Sequence, residues 1–485
     1  MAKLIDPNKP WYWLEVREDG SALRNDGVEL KAANSNPWYV LATVYGEQDG
    51  DKIDWDLHEK NLQIWNGWVS QCLTPHERGK FSKLANISHN AWHGLTEQEI
   101  SRARGVMGAR LDLMPMTEET RSSQFNLPVG PIRFDRTYFP HKLLFKDFLF
   151  LEPTDFSLSY CGEGARFSAA KFLDEAKFDR AVFRSNVGFN QAQFLDSARF
   201  MDALFVGHAS FQSASFRKHG AFQSSVFRQG GNFQSCEFEG HANFIKAEFH
   251  ANADFESSKF SKYADFRSAT FGHHAGFSDG AFRSHTDFRD ARFQKEVPTF
   301  YQREIHHDTV FTTERGIWPA ITAANAETGK RAYTRLRQMM RDLLRPDDEH
   351  FFHRQEMRCK EAGGKEKKFD RSVVVAFRLV SDYGHSLTRP LWGLGIVWAV
   401  MSLIYVGVFY VRCHVWQVQC YSWATPFGLS FTSLFSFLGL NRLFLGDVLG
   451  ELPGWLQAFA GFQTVSGFIL LFFLGLGLRN HFRLK

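Results

Sequence analysis

The sequence is poor in cysteine, carries little net charge and lacks an apolar segment at its amino terminus. Six cysteines among 485 residues, none in a CxxC spacing, exclude a disulfide scaffold and give no paired zinc ligands. The 57 basic and 53 acidic residues leave a net charge of +4, too small for a dedicated nucleic-acid-binding protein. The first residues, MAKLIDPNKPWYW, have no signal-peptide core, so we expect the first part of the chain to be cytosolic.

Motifs for catalysis and for metal binding are also absent. No GxSxG, HExxH or P-loop occurs, so the sequence predicts neither an enzyme nor a cofactor site. Four aspartates between positions 49 and 56 lack the EF-hand spacing and indicate a solvated turn. The pairs His273–His274 and His306–His307 would point to opposite faces of a strand, so we expect no shared metal there.

What the sequence has in excess is phenylalanine, with 50 residues, and most of them follow one period. From Phe134 to Phe293 the spacing alternates five and six residues, which defines 30 slots; 29 hold Phe and one holds Cys161. Small residues often stand two positions earlier, as in Ala165 before Phe167. Because residues i and i−2 of an extended chain share a side, we predict an inner face of Phe and Ala and a polar outer face. The steps of five and six do not fit a 3.6-residue helix, so this pattern favours a β-solenoid.

The segments ADFRSATF (264–271) and ANFIKAEF (242–249) carry this pattern and resemble the Phe-rich pentapeptide repeats. The resemblance implies a right-handed quadrilateral β-helix with four repeats, in steps of 5, 6, 5 and 6, per coil. At the usual strand spacing its seven to eight coils would be roughly 35 Å long. We expect residues 1–133 to cap one end and residues 300–325 the other, because the unpaired strand edges at an open solenoid end would pair with other chains.

Two uncharged apolar stretches in the last hundred residues, 390–411 and 455–478, are long enough to span a bilayer as helices. Between them, residues 424–440 are apolar but short and rich in Ser, Thr and Gly, so we expect a re-entrant or interfacial segment. Basic residues flank the pair on its outer sides, which predicts that both termini are cytoplasmic. These flanking residues are Arg371, Arg378, Arg389, Arg479, Arg483 and Lys485.

The order span, short apolar segment, span resembles a two-transmembrane potassium-channel subunit. Its pore-like segment contains Thr432, Ser433, Ser436 and Gly439, but it lacks the TVGYG-type run of a potassium filter, so potassium selectivity does not carry over. Cys413 and Cys420 follow the first span in a loop that the predicted topology places outside the cytosol. A disulfide between them is one hypothesis, and a reduced pair is the other.

Other segments resemble membrane-bound pentapeptide-repeat proteins of bacteria. They are SDYGHSLTRPL (381–391), GLRNHFRLK (477–485), WYVLATVYGE (38–47) and LHEKNLQIWNGW (57–68). The resemblance implies a multi-pass protein of the bacterial inner membrane. Within the linker, apolar residues at helical spacing between Tyr333 and Leu343 predict an amphipathic helix. That helix could lie on anionic lipid, join a bundle between protomers, or dock on the end of the solenoid.

The sequence therefore predicts a mainly β protein of four parts. These are a mixed, partly helical capping module (1–125), the solenoid (126–300), a linker with amphipathic helices (301–389) and a helical two-span membrane domain (390–485). We expect a membrane-anchored scaffold or sensor, with the lipid bilayer, other copies of the chain and an unidentified protein as partners. The alternative is an oligomeric channel or pore gated by the solenoid. DNA mimicry is disfavoured because charges in 134–300 cancel to about zero, and we expect no nucleic-acid partner.

Overall fold

The computed structural model describes residues 8–85, 87, 92, 94–112, 130–314, 316–363, 368–415, 421–439, 448, 450 and 452–482. The chain divides into two compact units, Met1–Ala320 and Ile321–Lys485, and each is described by itself. The first unit contains the capping module and the solenoid, and the second is helical.

The solenoid of the first unit is built from very short parallel strands, each paired with the equivalent strands one coil before and one coil after it. Lys171–Phe172, for example, lies between Leu149–Phe150 and Gln193–Phe194. The strands form four faces and about eight turns. This confirms the predicted solenoid and the length of its coil, whereas its handedness stays a prediction.

We number the four faces in the order in which the chain first reaches them. The first face contains Ile132–Arg133, Thr154–Asp155, Ala176–Lys177, Ala198–Arg199, Gly220–Ala221, Ala242–Asn243, Ala264–Asp265, Thr286–Phe288 and Val310–Phe311. The second contains Thr137–Phe139, Tyr160–Cys161, Val182–Phe183, Leu204–Phe205, Val226–Phe227, Glu248–Phe249, Thr270–Phe271 and Arg292–Phe293. The third contains Leu143–Leu144, Ala165–Arg166, Val187–Gly188, Ala209–Ser210, Gly231–Asn232, Ala253–Asp254 and Ala275–Gly276. The fourth contains Leu149–Phe150, Lys171–Phe172, Gln193–Phe194, Ser215–Phe216, Glu237–Phe238, Lys259–Phe260 and Ala281–Phe282.

The core of the solenoid consists of stacked phenylalanine rings. All 29 predicted Phe positions are at most 2% exposed, and so is Cys161. Rings one coil apart are nearly parallel, as for Phe178 and Phe200, whose centroids are 4.8 Å apart at 3°. Rings half a coil apart meet edge to face, as for Phe178 and Phe189 at 5.3 Å and 83°. Both arrangements are favourable for aromatic quadrupoles, and burial of each ring contributes about 2 kcal/mol or more.

The ring stack continues beyond Phe293 after the insertion of one residue. Phe300 stacks on Phe277 at 5.1 Å and Phe311 stacks on Phe288 at 4.9 Å, so the sequence separation is 23 instead of 22. Trp318 lies against Phe293 at 5.2 Å and covers the last ring of its column. The final coil is therefore less regular than those before it.

Every second corner of the coil contains a residue in the left-handed conformation. In the turn Phe167–Ala170, the Ala170 N–H donates to the Phe167 carbonyl at 3.1 Å, and Ala169 has a φ of 56°. None of these residues is Gly, although a Cβ makes this conformation unfavourable by roughly 1–2 kcal/mol. They recur twice in each coil, at Arg136, Asp147, Leu158, Ala169, Arg180, Gln191, Asp202, Ser213, Ser224, Ser235, Lys246, Ser257, Ser268, Asp279 and Asp290.

The first coils of the second face differ from the predicted polar exterior because their outward side chains are apolar, whereas Glu248, Thr270 and Arg292 occupy the same position in later coils. The strands Leu14–Val16, Ala22–Arg24 and Glu29–Ala32 form an antiparallel meander whose last strand joins this face beside Thr137–Phe139. Ala22 and Leu30 pack with Tyr160, Val182 and Leu204, which occupy the same position in successive coils and are at most 3% exposed. The expectation of a polar outer surface was therefore wrong for these first coils, because the amino-terminal strands cover them.

Helices close the first end of the solenoid, as the capping prediction requires. They are α1 (Pro37–Ala42), α2 (Trp55–Cys72), α3 (Pro75–Ala85) and α4 (Glu97–Asp112), and a short 3₁₀ turn (Ala33–Ser35) precedes α1. Trp65 is fully buried against Phe148 and Phe150 at 5.6 and 5.5 Å. Its indole N–H donates to the Leu149 carbonyl at 2.7 Å. This hydrogen bond satisfies a backbone carbonyl on the edge strand of the fourth face.

The second unit consists of six helices among its described residues and a 3₁₀ turn, Ser436–Leu438. They are α5 (Ala326–Asp342), α6 (Pro346–Ala362), α7 (Lys368–Ser381), α8 (Thr388–His414), α9 (Thr425–Leu434) and α10 (Gly454–Phe482). The predicted amphipathic helix is α5, and its apolar residues Tyr333, Leu336 and Met340 are fully buried. Helix α5 packs against α6, where Tyr333 approaches Phe352 at 6.3 Å. Neither lipid nor another protomer is required to cover this face.

The left-handed corners predict opposite effects for two neighbouring alanines. Ala169→Gly removes the Cβ strain, and we expect the free energy of unfolding of the first unit to rise by roughly 0.5–1 kcal/mol. Ala170 has no positive φ and is fully buried; as the control, Ala170→Gly should lower that free energy by about 1–2 kcal/mol. Thermal or denaturant unfolding measures both. Destabilisation by Ala169→Gly as large as that by Ala170→Gly would contradict the strain argument.

Candidate functional site

Two helices of the second unit are long and apolar enough to cross a membrane. Thr388–His414 and Gly454–Asn480 are 27 residues each, or about 40 Å of helix. Only 28% and 22% of their most apolar windows are buried within the chain. Exposed apolar side chains on the first include Leu391, Trp392, Ile396 and Leu403, and on the second Phe462, Val465, Phe468 and Phe472.

A small polar cluster joins these two helices through α9. The amide of Gln463, which is fully buried, donates to the carbonyl and hydroxyl oxygens of Ser430 at 2.9 and 2.8 Å. Tyr405 donates its hydroxyl to Gln463 Oε1 at 3.2 Å, and the Ser430 hydroxyl donates to the Trp398 carbonyl at 2.9 Å. Polar groups in apolar surroundings need such partners, so these bonds hold α8, α9 and α10 in one arrangement.

The predicted pore-like residues lie at the end of α9 and in the turn that follows. Thr432 and Ser433 are buried in the last helical turn, and the Ser433 carbonyl accepts a hydrogen bond from the Thr464 hydroxyl at 2.8 Å. Ser436 begins the 3₁₀ turn, and Gly439 ends it with a φ of 72°. The ten residues of α9 would reach about 15 Å, half of a hydrocarbon core. Across the described residues 424–439 the backbone is helical or turned, and we find no extended row of carbonyls of the kind a potassium filter uses.

The predicted disulfide is only partly within the described residues. Cys413, in the last turn of α8, is disulfide-bonded. Cys420 lies outside the described residues, so the pairing of the two cysteines stays a prediction. Cys72, Cys161, Cys236 and Cys359 are free thiols.

Helices α9 and α10 approach closely at a glycine. A Cβ placed on Gly467 would lie 2.3 Å from the Leu434 carbonyl oxygen, whereas nothing lies within 4 Å of one placed on Gly461. Small residues are typical where helix backbones approach each other in membranes. Gly467 thus allows the end of α9 to rest on α10.

This contact predicts different effects for two Gly→Ala substitutions on the same helix. Gly467→Ala places a methyl group against backbone, and we expect the detergent-solubilised protein to lose about 1–3 kcal/mol of stability. Gly461→Ala, the control, should be neutral or slightly stabilising because Ala favours helix. Thermal unfolding in one detergent compares the two. Equal midpoints for both variants would show that the close approach of α9 and α10 does not contribute to stability.

The junction between α7 and α8 is a strained turn. Asp382, Tyr383 and Gly384 are three consecutive left-handed residues, with φ values of 47°, 61° and 83°. Two of them carry a Cβ, so the surrounding contacts have to offset a cost of about 1–2 kcal/mol each. The Gly384 N–H is satisfied by the Ser381 hydroxyl at 3.0 Å.

Contacts from two other helices hold this turn. The Tyr383 hydroxyl donates to Glu361 Oε2 of α6 at 3.0 Å, and the Asn480 amide of α10 donates to the Gly384 carbonyl at 2.8 Å. A Cβ on Gly384 would lie 2.9 Å from Leu476. The structure thus brings Asn480 against the turn at 382–384, although the two are distant in sequence. Burial and the bond to Glu361 raise the pKa of Tyr383 to about 12.

Ion pairs surround the same turn. Asp382 lies 3.7 Å from Arg354 of α6 and 3.9 Å from Arg389 of α8, and Glu361 lies 3.2 Å from Arg378 of α7. The acidic partners are mostly buried, so these pairs are screened less than pairs on an open surface. The junction therefore links α6, α7, α8 and α10 by polar contacts.

Three histidines from α6 and the junction form a cluster beside these pairs. The ring of His385 lies 4.4 Å from that of His350 and 5.9 Å from that of His353. Nε2 of His385 is buried without a hydrogen-bond partner among the described residues. Burial, reinforced by the positive charges of His350, His353 and Arg354 and opposed by Asp382, lowers the pKa of His385 to about 4. The neutral ring is thus the form that the fold accommodates.

The lowered pKa of His385 predicts a loss of stability in acid. Unfolded histidine has a pKa of about 6.5, so the contribution of the neutral ring is present above pH 6.5 and is lost as the pH falls towards 4. The thermal midpoint of the detergent-solubilised protein should fall across this range. We expect a shallower fall in His385→Asn, whereas the exposed control His76→Asn should follow the parent chain. Identical pH profiles for His385→Asn and the parent would exclude His385 as the titrating group.

On the first unit, the third face of the solenoid forms the floor of an open groove. Residues 51–55 form its wall, and its volume is about 730 Å³. Lys52, Lys142 and Arg166 contribute positive charge, whereas Asp51 is the single carboxylate among the lining residues. Asn186, Asn190, Ser168 and Ser210 supply amide and hydroxyl groups on the floor, and Trp55 is half exposed on the wall. Sequence reasoning missed this groove because its wall and its floor come from distant parts of the chain.

Comparison with known proteins supports the assignment of the solenoid to a known type of repeat. A family model described as pentapeptide repeats (9 copies) matches residues 163–215. No curated protein and no solved structure gives a match to the chain. The matched segment lies within the observed solenoid, where coils of the same length with Phe or Ala inside extend the pattern on both sides. The comparison confirms that the solenoid is built from pentapeptide repeats.

Proposed function

We propose that the protein is a membrane-anchored scaffold or sensor whose solenoid binds a protein partner through an acidic segment. The observation that carries the proposal is the groove on the third face, which has three cationic side chains and one carboxylate on a rigid, densely packed support. Arg166 is exposed at its floor, and among the described residues no ion pair or side-chain hydrogen bond engages its guanidinium. A pre-formed cationic groove loses little entropy on binding and attracts acidic partners over several ångströms.

The second unit supplies the membrane anchor in this proposal. Its two long apolar helices would cross the bacterial inner membrane, and the basic residues Arg378 and Arg389 before the first of them favour cytoplasmic termini. The strained junction lies beside these basic residues and contacts α6, α8 and α10 through its polar network. A sensor of this kind would transmit partner binding to the membrane helices through that junction.

The groove can be tested in cells with the full-length protein. A photoreactive amino acid at Ser210, on the groove floor, should form a discrete adduct with one cytosolic protein. Arg166→Glu should reduce the adduct by about tenfold, because reversal of one close charge removes roughly 1.4 kcal/mol. Arg283→Glu, an exposed arginine outside the groove, is the matched control and should leave the adduct unchanged. Absence of an adduct, or an equal loss in both variants, would contradict the proposal.

A second candidate function is an oligomeric channel or pore, and the buried short helix α9 favours it. A short helix held between two spans is the arrangement of a re-entrant pore segment, and the exposed apolar faces of α8 and α10 leave room for further copies. Ion flux from liposomes containing the purified full-length protein separates the two functions. If the protein is a scaffold, liposomes that contain it should leak ions no faster than protein-free liposomes, at every protein density. Ion flux that Gly467→Ala reduces and Gly461→Ala leaves unchanged would contradict the scaffold and support the pore.

A further inference from the structure

The final corner of the solenoid departs from the repeat and brings together three residues with metal-binding side chains. In the last coil the chain passes from Glu304, which bridges to Ala281 on the fourth face, to Val310–Phe311 on the first face. The residue added to this coil lies before this corner, because Phe300 already follows Phe277 by 23 positions, as Phe311 follows Phe288. The corner is a turn closed by the Thr309 N–H, which donates to the His306 carbonyl at 3.0 Å.

This turn corrects the expectation that His306 and His307 point in opposite directions. That expectation assumed a strand, but the two rings lie on the same side of the turn with centroids 4.1 Å apart. The pair His273–His274, at a regular corner, behaves differently: His273 contacts Lys295 at 2.6 Å and His274 contacts Glu296 at 3.4 Å. The two pairs therefore differ in their contacts, because His273 and His274 face side chains one coil away whereas His306 and His307 face each other and Asp308.

We propose that His306, His307 and Asp308 bind a divalent transition-metal ion of the zinc class. Asp308 Oδ2 lies 3.7 Å from Nδ1 of His306 and 3.4 Å from Nε2 of His307. Two ligands at tetrahedral zinc, each bound at about 2.0–2.1 Å, are separated by about 3.4 Å. The three ligand atoms all lie within 4.8 Å of one another, so small side-chain rotations bring them to one centre.

The chemistry of the three side chains suits zinc better than calcium or magnesium. Neutral imidazole is a ligand for Zn²⁺, Cu²⁺ and Ni²⁺, whereas Ca²⁺ and Mg²⁺ select oxygen. Three protein ligands leave a fourth position for water or for a group of another molecule. The site is solvent-accessible, and Nδ1 of His306 also accepts the Asp308 N–H at 3.2 Å, a bond that the metal would displace. Both features predict an exchangeable metal bound more weakly than in a closed structural site.

A bound metal would stabilise the last corner of the first unit. The ion would cross-link three consecutive residues beside Thr309, which is fully buried, and so restrain the turn that leads to Phe311. The proposal is independent of the proposed scaffold function. A site that exchanges metal at the end of the solenoid adds a binding activity that the repeat pattern does not predict.

Titration of the purified full-length protein in detergent with Co²⁺, followed by competition with Zn²⁺, tests this site. We expect one equivalent of Co²⁺ with visible absorption bands of tetrahedral geometry and a rise in the thermal midpoint of the first unit. Loss of an outer-shell partner costs about 10- to 100-fold in affinity, so His307→Ala and Asp308→Asn, which remove ligands, should weaken binding at least as much. The control His274→Ala should bind normally.

Two results would overturn the proposal. One is the absence of a stoichiometric Co²⁺ or Zn²⁺ complex in the parent chain. The other is a complex of unchanged affinity in both His307→Ala and Asp308→Asn, which would place the metal elsewhere, for example at the stacked corner residues His219 and His241. Because these substitutions are at exposed positions, unfolding does not account for a loss of binding; an unchanged midpoint in metal-free buffer verifies this.

Discussion

Stacking of phenylalanine rings at the distance between neighbouring strands is the interaction on which the first unit depends. Strands pair about 4.8 Å apart, and rings in successive coils, such as Phe200 and Phe222, stack with centroids 4.9 Å apart. The same displacement along the axis thus satisfies backbone hydrogen bonds and aromatic packing. A shift of one residue would turn the rings outward. The ring columns therefore fix the register of strands that are mostly only two residues long.

With the register fixed from inside, the outward side chains of each face are free to differ. The first coils of the second face carry apolar residues that pack against the amino-terminal strands, whereas the third face is polar and forms the floor of the groove. The corners tolerate variation as well, since Arg, Ser, Asp, Gln, Lys, Leu and Ala all occupy the same left-handed position. Function in such a fold depends on the side chains that each face and corner exposes, and changes in these side chains do not alter the core.

The sequence was sufficient for the core because one side chain recurs at one spacing. The left-handed corners could not be predicted, because the residues there share no chemical property and the backbone alone imposes their conformation. The covered second face left a detectable signal, because Tyr160, Val182 and Leu204 are apolar at the same position of successive coils. The positions of Trp65 on the ring stack, of Lys52 beside Arg166, and of Asn480 at Gly384 depend on contacts distant in sequence, which no local pattern reports.

In the second unit, polar contacts fix the relative positions of the helices, as packing of the phenylalanine rings fixes the strand register in the first. Helix α8 is apolar on all sides, so lipid would solvate any rotation of it equally well, and hydrophobicity alone does not fix its orientation. The bonds of Tyr405 to Gln463 and of Ser430 to the Trp398 carbonyl do fix it, because they join α8 to α10 and α9 through fully buried side chains. The bond of Asn480 to Gly384 then joins α10 to the junction. Orientation of the two long apolar helices is therefore coupled to the junction, and through Tyr383 and Glu361 to α6. A sensor of the proposed kind would act on this small set of hydrogen bonds, because they are the polar contacts that link α6 to the two long apolar helices.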